Sequence, residues 1–392
     1  MNVNFEFLGS EPIENVITCM NYEIDKVVYF GYHETIERLK SATENFLGIY
    51  CGVQKAVFHA LPKDDLASAL RTMRHEIEYE KGRKNRIFFD VTGGEDLILV
   101  AFGMLAKEFR LPLHSFDVPQ NRLIVHDDGS GTVKSSIDEL VARREFCMDL
   151  DRYIALRGGV INYSLQKDMK ADGAEENADY IRKIWKISEK YEEYWNAFSE
   201  FLRGYFAPDP QLKARSRTIR VLEGLYTSSS SLNELTKLHE ILEDLSEEGI
   251  LLGLVQTDEY IEFSFRNEVI REILWDSGSI FELHVWQEEK ELNDDCRAGV
   301  HLDWDGIIRW PEETDVQNEI DVLTVKGNSA SFISCKGGKL SPAQTLRALY
   351  ELQVVADRFG GRYAKRVLAI RSDIGRTYTL RAEEMGIEVR KY

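Results

Sequence analysis

Near the C-terminal end of the sequence, Asn318-Glu319-Ile320-Asp321 is followed by Ser334-Cys335-Lys336. Both stretches lie in apolar runs, EIDVLTV and SASFISCK, separated by Lys326-Gly327-Asn328, and read as the two strands of a hairpin. Residues two apart on a strand share a face, so Glu319 points with Asp321, and Ser334 with Lys336. A two-residue Gly327-Asn328 loop sets Asp321 opposite Ser334 and Glu319 opposite Lys336. A four-residue loop shifts the pairing by two and keeps all four on one face. Either register gathers two carboxylates and one ammonium. That group suits phosphodiester hydrolysis: carboxylates hold Mg²⁺ or Mn²⁺, the ion activates a water and polarises the phosphate, and lysine stabilises developing charge. The same spacing also describes a solvated strand with cross-strand ion pairs, each contributing about 0.2–1 kcal/mol.

A second candidate lies near the N-terminus, where Asp90-Val91-Thr92-Gly93-Gly94-Glu95-Asp96 follows an apolar run and opens a helical one. Glycines let a phosphate approach the backbone, and a helix start offers unpaired N–H groups. The stretch has neither GxGxxG nor GK[ST], so it supports neither a dinucleotide nor an NTP site. Gly9-Ser10-Glu11-Pro12 falls at the same carboxyl edge, where open parallel sheets bind ligands.

The elements that must position these residues follow from hydrophobic periodicity. Residues 1–140 alternate strands (Val3 to Leu8, Lys26 to Phe30, Val53 to His59, Arg86 to Val91, Leu113 to Phe116) with helices at 12–20, 33–47, 62–80 and 94–109. This is the pattern of βαβ units around a parallel sheet, closed by a hairpin at Pro119-Gln120-Asn121. Residues 141–267 form a connector, with long helices at 137–155 and 177–206. A serine run at 228–231 then precedes LNELTKLHEILEDLSEEG and two apolar runs, ILLGLV and EYIEFSF. Helix then hairpin resembles a winged helix, but Glu234, Glu240, Glu243, Asp244, Glu247 and Glu248 against Lys237 would repel phosphates. Residues 268–392 form a second α/β unit, whose last helix before the final strands is SPAQTLRALYELQVVADRFGG.

The chain has 392 residues and a net charge of −18, with 43% hydrophobic residues, enough for a sizeable core. No uncharged apolar run has membrane-spanning length, the N-terminus lacks the features of a secretory signal, and the five cysteines include no CxxC. These features point to a cytoplasmic protein with neither disulfide framework nor structural zinc. Charge is uneven: residues 268–321 hold 4 basic against 16 acidic side chains, and residues 322–392 hold 13 against 6. Carboxylates beside a basic half suit divalent cations and a phosphate backbone in one site.

The C-terminal region, about 268–392, resembles the PD-(D/E)xK restriction-endonuclease-like superfamily. On that resemblance Asp321 is the motif aspartate, Lys336 the motif lysine and Glu282 the upstream helical acid. The backbone carbonyl of Cys335 would be a further metal ligand. Ser279-Ile280-Phe281-Glu282 also fits a capping box, which gives Glu282 a structural reading. The departure is Ser334, where the superfamily places an acid; Glu319 could supply the charge. The strand pattern, the FDVTGG motif and the closing hairpin resemble the CRISPR-associated Rossmann fold (CARF). With NEIDVL, ISCKGG and RFGGRYAKRVL, nearly the whole chain resembles the CARF-domain nucleases of type III CRISPR systems. The resemblance implies a homodimer that binds a cyclic oligoadenylate, commonly cyclic tetra-adenylate, as allosteric activator. Ser10, Glu11, Pro12, Thr92, Gly93, Gly94 and Glu95 would line the ring. It also implies an Mn²⁺- or Mg²⁺-dependent endonuclease acting on single-stranded RNA or DNA, with Asp321, Glu319, Glu282 and Lys336 catalytic. The rival reading is a ligand-responsive transcription regulator with an inert C-terminal domain.

Overall fold

The computed structural model describes residues 1–126, 136–143, 146–164, 176–227, 232–303, 306–307 and 317–392. Strands β1 (Asn2–Phe7), β2 (Lys26–Gly31), β3 (Lys55–Ala60), β4 (Arg86–Asp90), β5 (Leu113–Asp117) and β6 (Arg122–His126) form one sheet, ordered β3-β2-β1-β4-β5-β6. Every pairing is parallel except β5 with β6, the antiparallel hairpin that closes the edge. Helices α1 (Ile17–Asn21), α2 (His33–Tyr50), α3 (Leu66–Gly82) and α4 (Asp96–Phe109) make the crossovers. Covered on both faces, β2 is buried at every residue, as expected of a strand written as a continuous apolar run. Strand order reverses between β1 and β4, so the loops leaving their carboxyl ends flank the switch point of the sheet. The helix expected at 12–20 is shorter, because residues 9–16 first form a closed turn.

The middle of the chain departs most from the periodicity. In place of a helix over 137–155 there is one 3₁₀ turn at Ile137–Glu139, a bridge from Ala142 to Tyr22, and α5 (Leu150–Ala155). Ile137, Leu140, Met148 and Leu150 bury their side chains against two sheets at once, which an irregular path allows and a straight helix does not. The segment 177–206 divides at Tyr191 into α6 (Ala178–Lys190) and α7 (Glu192–Tyr205). Next come β8 (Lys213–Arg217), α8 (Thr218–Thr227), α9 (Leu232–Glu247), β9 (Leu251–Gln256) and β10 (Tyr260–Phe265), a three-stranded sheet ordered β8-β10-β9 with helices inserted after β8. This is winged-helix connectivity; the serine run at 228–231 lies outside the described residues.

Strands β7 (Val160–Ile161), β11 (Asp295–Asp303), β12 (Gln317–Lys326), β13 (Ser329–Lys336), β14 (Lys365–Ile370) and β15 (Ile387–Lys391) form the third sheet, ordered β15-β14-β13-β12-β11-β7. Helices α10 (Glu268–Trp275), α11 (Ser279–Lys290), α12 (Pro342–Phe359) and α13 (Arg376–Glu384) accompany it. Ser341 starts α12 with a full capping box to Gln344. Because β7 is an edge of this sheet, the expected connector 141–267 is not one unit: its first part belongs to the C-terminal sheet.

Three apolar cores separate the layers. Val3, Phe5, Phe30, Phe89 and Phe102 fill the outer face of the N-terminal sheet. A second core takes Leu8, Ile13, Tyr29 and Phe116 from that sheet's other face, together with Leu323, Phe332, Leu349, Phe359 and Leu368 from the C-terminal unit. The third joins the connector helices to Val322, Ile333, Cys335, Val367 and Ala369 on the far face of the C-terminal sheet. The two α/β units thus share one continuous interior. No described helix is long and apolar enough to cross a membrane, and no disulfide links the five cysteines.

Candidate functional site

β12 and β13 pair with Lys326 opposite Ser329 and Val322 opposite Ile333, the register of a two-residue loop. Gly327 takes a positive φ of 57°, which glycine adopts without strain at the first loop position. Extending this ladder brings Asp321 across from Ser334. The Asp321 carboxylate oxygen Oδ2 accepts the Cys335 backbone N–H at 2.6 Å and the Ser334 hydroxyl at 3.2 Å, and lies 3.6 Å from Lys336 Nζ. Asp321 is 17% and Lys336 32% exposed in their side chains, so the pair is sheltered yet reachable.

Glu319 is placed differently from the expectation. Ile320 packs into the same core as Leu323 and Val325, whereas Val322 packs into the opposite one, so side-chain alternation slips by one residue at Asp321. Opposite the slip lies Gly299 of β11, with φ 61°, between the rungs Ala298–Val322 and Val300–Ile320. Glu319 is exposed and sits across the ladder from His301. Glu282 lies in the first turn of α11, half-buried. The capping box does not form: the N-cap is Gly278, and Ser279 is already helical, its hydroxyl donating to Asp276 at 2.7 Å. Phe281 packs on Gly337, bringing the start of α11 beside the end of β13. Among the described residues, no three His, Cys, Asp or Glu side chains come together as a metal-holding group. In this conformation Glu282, Glu319 and Asp321 are therefore not gathered around one point.

At the N-terminal edge the two expected loops do meet. The Gly9 N–H donates to Asn15 Oδ1 at 2.9 Å and Asn15 Nδ2 donates back to the Gly9 carbonyl at 3.0 Å, closing the turn that exposes Ser10. Thr92 is fixed from both sides: its N–H donates to Asp90 at 2.7 Å, and its hydroxyl accepts the Phe116 N–H at 2.9 Å. Gly94 is exposed with φ 136°. Glu95 precedes α4 without capping it and accepts the Tyr32 hydroxyl at 2.9 Å; burial and this carboxylate push Tyr32 up to about 12.

Glu11 does not face solvent beside Ser10. It is buried, pairs with Arg157 and accepts the Arg362 backbone N–H at 2.9 Å, so it belongs to a contact between the N-terminal loop and the turn before β14. Glu14, which spacing did not single out, joins the N-terminal loop to the same turn before β14. Its carboxylate accepts from Arg362 and from the Tyr363 hydroxyl at 2.6 Å, and a Cβ added at Gly93 would come within 2.9 Å of its Oε2. Burial raises the Glu14 carboxyl, against the opposing pull of Tyr363 and Arg362. The sequence signal was the Gly360-Gly361-Arg362 turn, where Gly361 has φ 67° and leaves room for Arg157 and Glu11.

Beneath this edge lies a buried polar cluster. Glu6 and Asp90 are rung partners on β1 and β4; Asn4 donates to Glu6 at 2.7 Å, and the Thr18 hydroxyl donates to Asp90 at 2.5 Å and touches His114 Nε2 at 2.9 Å. Burial, with the Asp90 charge alongside, lifts the Glu6 carboxyl well above the usual range, and burial lowers His114.

Several solved structures share this fold, among them two that do so over the whole chain. A protein VC1899 from Vibrio cholerae superposes with a TM-score of 0.71 at 16% identity, covering 100% of this chain and 94% of that one. Can2 from Sulfobacillus thermosulfidooxidans, solved in complex with cyclic tetra-adenylate, superposes with a TM-score of 0.64 at 14% identity, covering 100% and 95%. No family model matches the sequence, and no curated protein does. At these identities the likeness is one of fold.

Proposed function

We propose that the chain is a ligand-gated, metal-dependent endonuclease of type III CRISPR defence. In this reading a CARF sensor (1–140) recognises cyclic oligoadenylate, the four-adenylate ring, between two copies of the chain. The PD-(D/E)xK-like unit (268–392) cleaves single-stranded RNA or DNA. One observation carries it: Asp321, Ser334 and Lys336 meet across the β12–β13 hairpin, where superfamily resemblance puts the scissile phosphate. The second support is the closed Ser10 turn beside Thr92-Gly93-Gly94 at the switch point of the N-terminal sheet.

The donors at the hairpin fit a hard divalent cation, since the Asp321 carboxylate and the Cys335 carbonyl are both oxygen ligands. They supply one negative charge, so Glu282 or Glu319 is needed as a further ligand. When bound, the ion would polarise the phosphate and lower the pKa of a water. The chain's own contribution is positional. Cys335 N–H and Ser334 fix one carboxylate oxygen, and Lys336, on the same strand, places a cation where negative charge develops.

The regulator reading draws on the winged-helix connectivity, but two acids of this region are paired within the chain: Lys190 with Asp244 of α9 at 2.6 Å, and Lys183 with Glu248 just after it at 2.8 Å. The deciding assay incubates labelled single-stranded RNA and DNA with the chain and Mn²⁺, with and without cyclic tetra-adenylate. Cleavage only with the ring supports the proposal; equal cleavage without it removes the gating, and none on either substrate leaves the regulator.

A further inference from the structure

We infer that the outer face of the β8-β10-β9 sheet docks the backbone of a single-stranded nucleic acid. On β8 alternate residues turn inward: Ala214 and Ser216 are buried in the connector core, while Lys213, Arg215 and Arg217 are exposed on the other face. A strand spaces such residues about 6–7 Å apart, so the three cations form a straight row, extended by exposed Arg220 at the start of α8. Across the ladder Arg217 faces Tyr260, Arg215 faces Glu262 and Lys213 faces Ser264. The Arg215 guanidinium stacks over the Tyr260 ring at 3.9 Å, which holds it flat and outward. Glu262 is the carboxylate among them, 2.9 Å from Lys213 and 3.5 Å from Arg215.

The same rungs continue to β9, where Leu252 stands beside Ser264 and Val255 beside Glu262; they are 42% and 39% exposed. The face therefore grades from a basic edge to an apolar one. A single strand has the matching two sides, phosphates along one and unpaired base planes along the other, whereas a duplex hides its bases. On a chain of net charge −18 a basic row of this kind stands apart, and it lies on β8, across the sheet from β9, the strand that packs against the acidic helix.

The inference takes its nucleic-acid class from the nuclease reading but concerns a different surface, and the test separates the two. Fluorescein-labelled oligo(U) and oligo(dT) are titrated, across a salt series, into the 392-residue chain carrying Asp321→Asn to prevent turnover. Replacing Lys213, Arg215 and Arg217 by Gln is expected to weaken binding at least about tenfold. The slope of log affinity against log salt should flatten by about 2, from three lost phosphate contacts. Arg215→Lys with Arg217→Lys should retain most of the slope and shows that the surface still folds. Unchanged affinity and slope in the Gln variant overturn the inference. So does a variant that self-associates while binding the oligonucleotides as before, since the cations would then only guard an open sheet edge. Weakened binding alongside no cleavage by the parent chain under any condition would keep this surface and sink the nuclease reading.

Discussion

The two sites of this chain treat their carboxylates in opposite ways. At the N-terminal edge, Glu11 and Glu14 are buried and already matched by Arg157, Arg362 and Tyr363 from distant parts of the sequence. At the β12–β13 hairpin, Asp321 is partly exposed and has one lysine at 3.6 Å. The first arrangement is buried and links two units; the second is partly open to solvent. On the proposed function, the N-terminal edge would carry the coupling and the hairpin the chemistry.

The largest effect should come from removing the open site's acid. Asp321→Ala is expected to cut cleavage by about 10³-fold, the equivalent of about 4 kcal/mol of lost charge stabilisation, while calorimetric titration shows ring binding intact. Loss of both would erase the division of labour between the two regions. Gly93→Ala comes next. Its new Cβ would press on Glu14 at 2.9 Å, so ring affinity should fall by about tenfold, with melting temperature little changed.

Glu14→Gln sharpens the comparison from the other side. Without the charge facing Arg362, ring-free cleavage should rise several-fold. In the parent chain the same release should occur as pH falls: the Glu14 carboxyl is raised, so it protonates at a higher pH than an ordinary glutamate. A basal cleavage rate, relative to the ring-bound rate, that climbs with acidity in the parent and stays flat in Glu14→Gln is the expected result. A parent profile matching the variant would remove Glu14 from the coupling. The smallest effect concerns Glu6. Its folded carboxyl holds a proton that the unfolded chain loses above about pH 4.5, so its contribution makes stability fall as pH rises from there through the raised pKa. Thermal melts of Glu6→Gln should show a weaker decline over that window than the parent.

Much of this was legible in the sequence. The βαβ alternation gave the N-terminal sheet because fully buried strands and amphipathic crossovers leave different periods. The apolar runs around Lys326-Gly327-Asn328 gave the hairpin, but two registers remained open until the structure showed the two-residue turn, with Gly327 at φ 57°. Other features were hidden for physical reasons. Gly299 reads as an ordinary glycine until its φ of 61° shifts the alternation beside Asp321 and carries Glu319 elsewhere. Glu11 and Glu14 owe their roles to arginines far along the chain, which no local spacing reveals. The 137–155 segment has helical periodicity yet follows a broken path, because its apolar residues answer to two sheets.

The shared interior has a consequence for exchange between proteins. Leu8, Ile13 and Phe116 rest against the same apolar mass as Phe332, Leu352 and Phe359, so neither half ends in a finished surface. A cut near residue 140 would strand both faces in water, each large buried side chain forfeiting about 1.5–3 kcal/mol. Grafting this N-terminal half onto another protein would therefore demand recutting a whole face, in contrast to beads on a string, which trade places with only a linker changed.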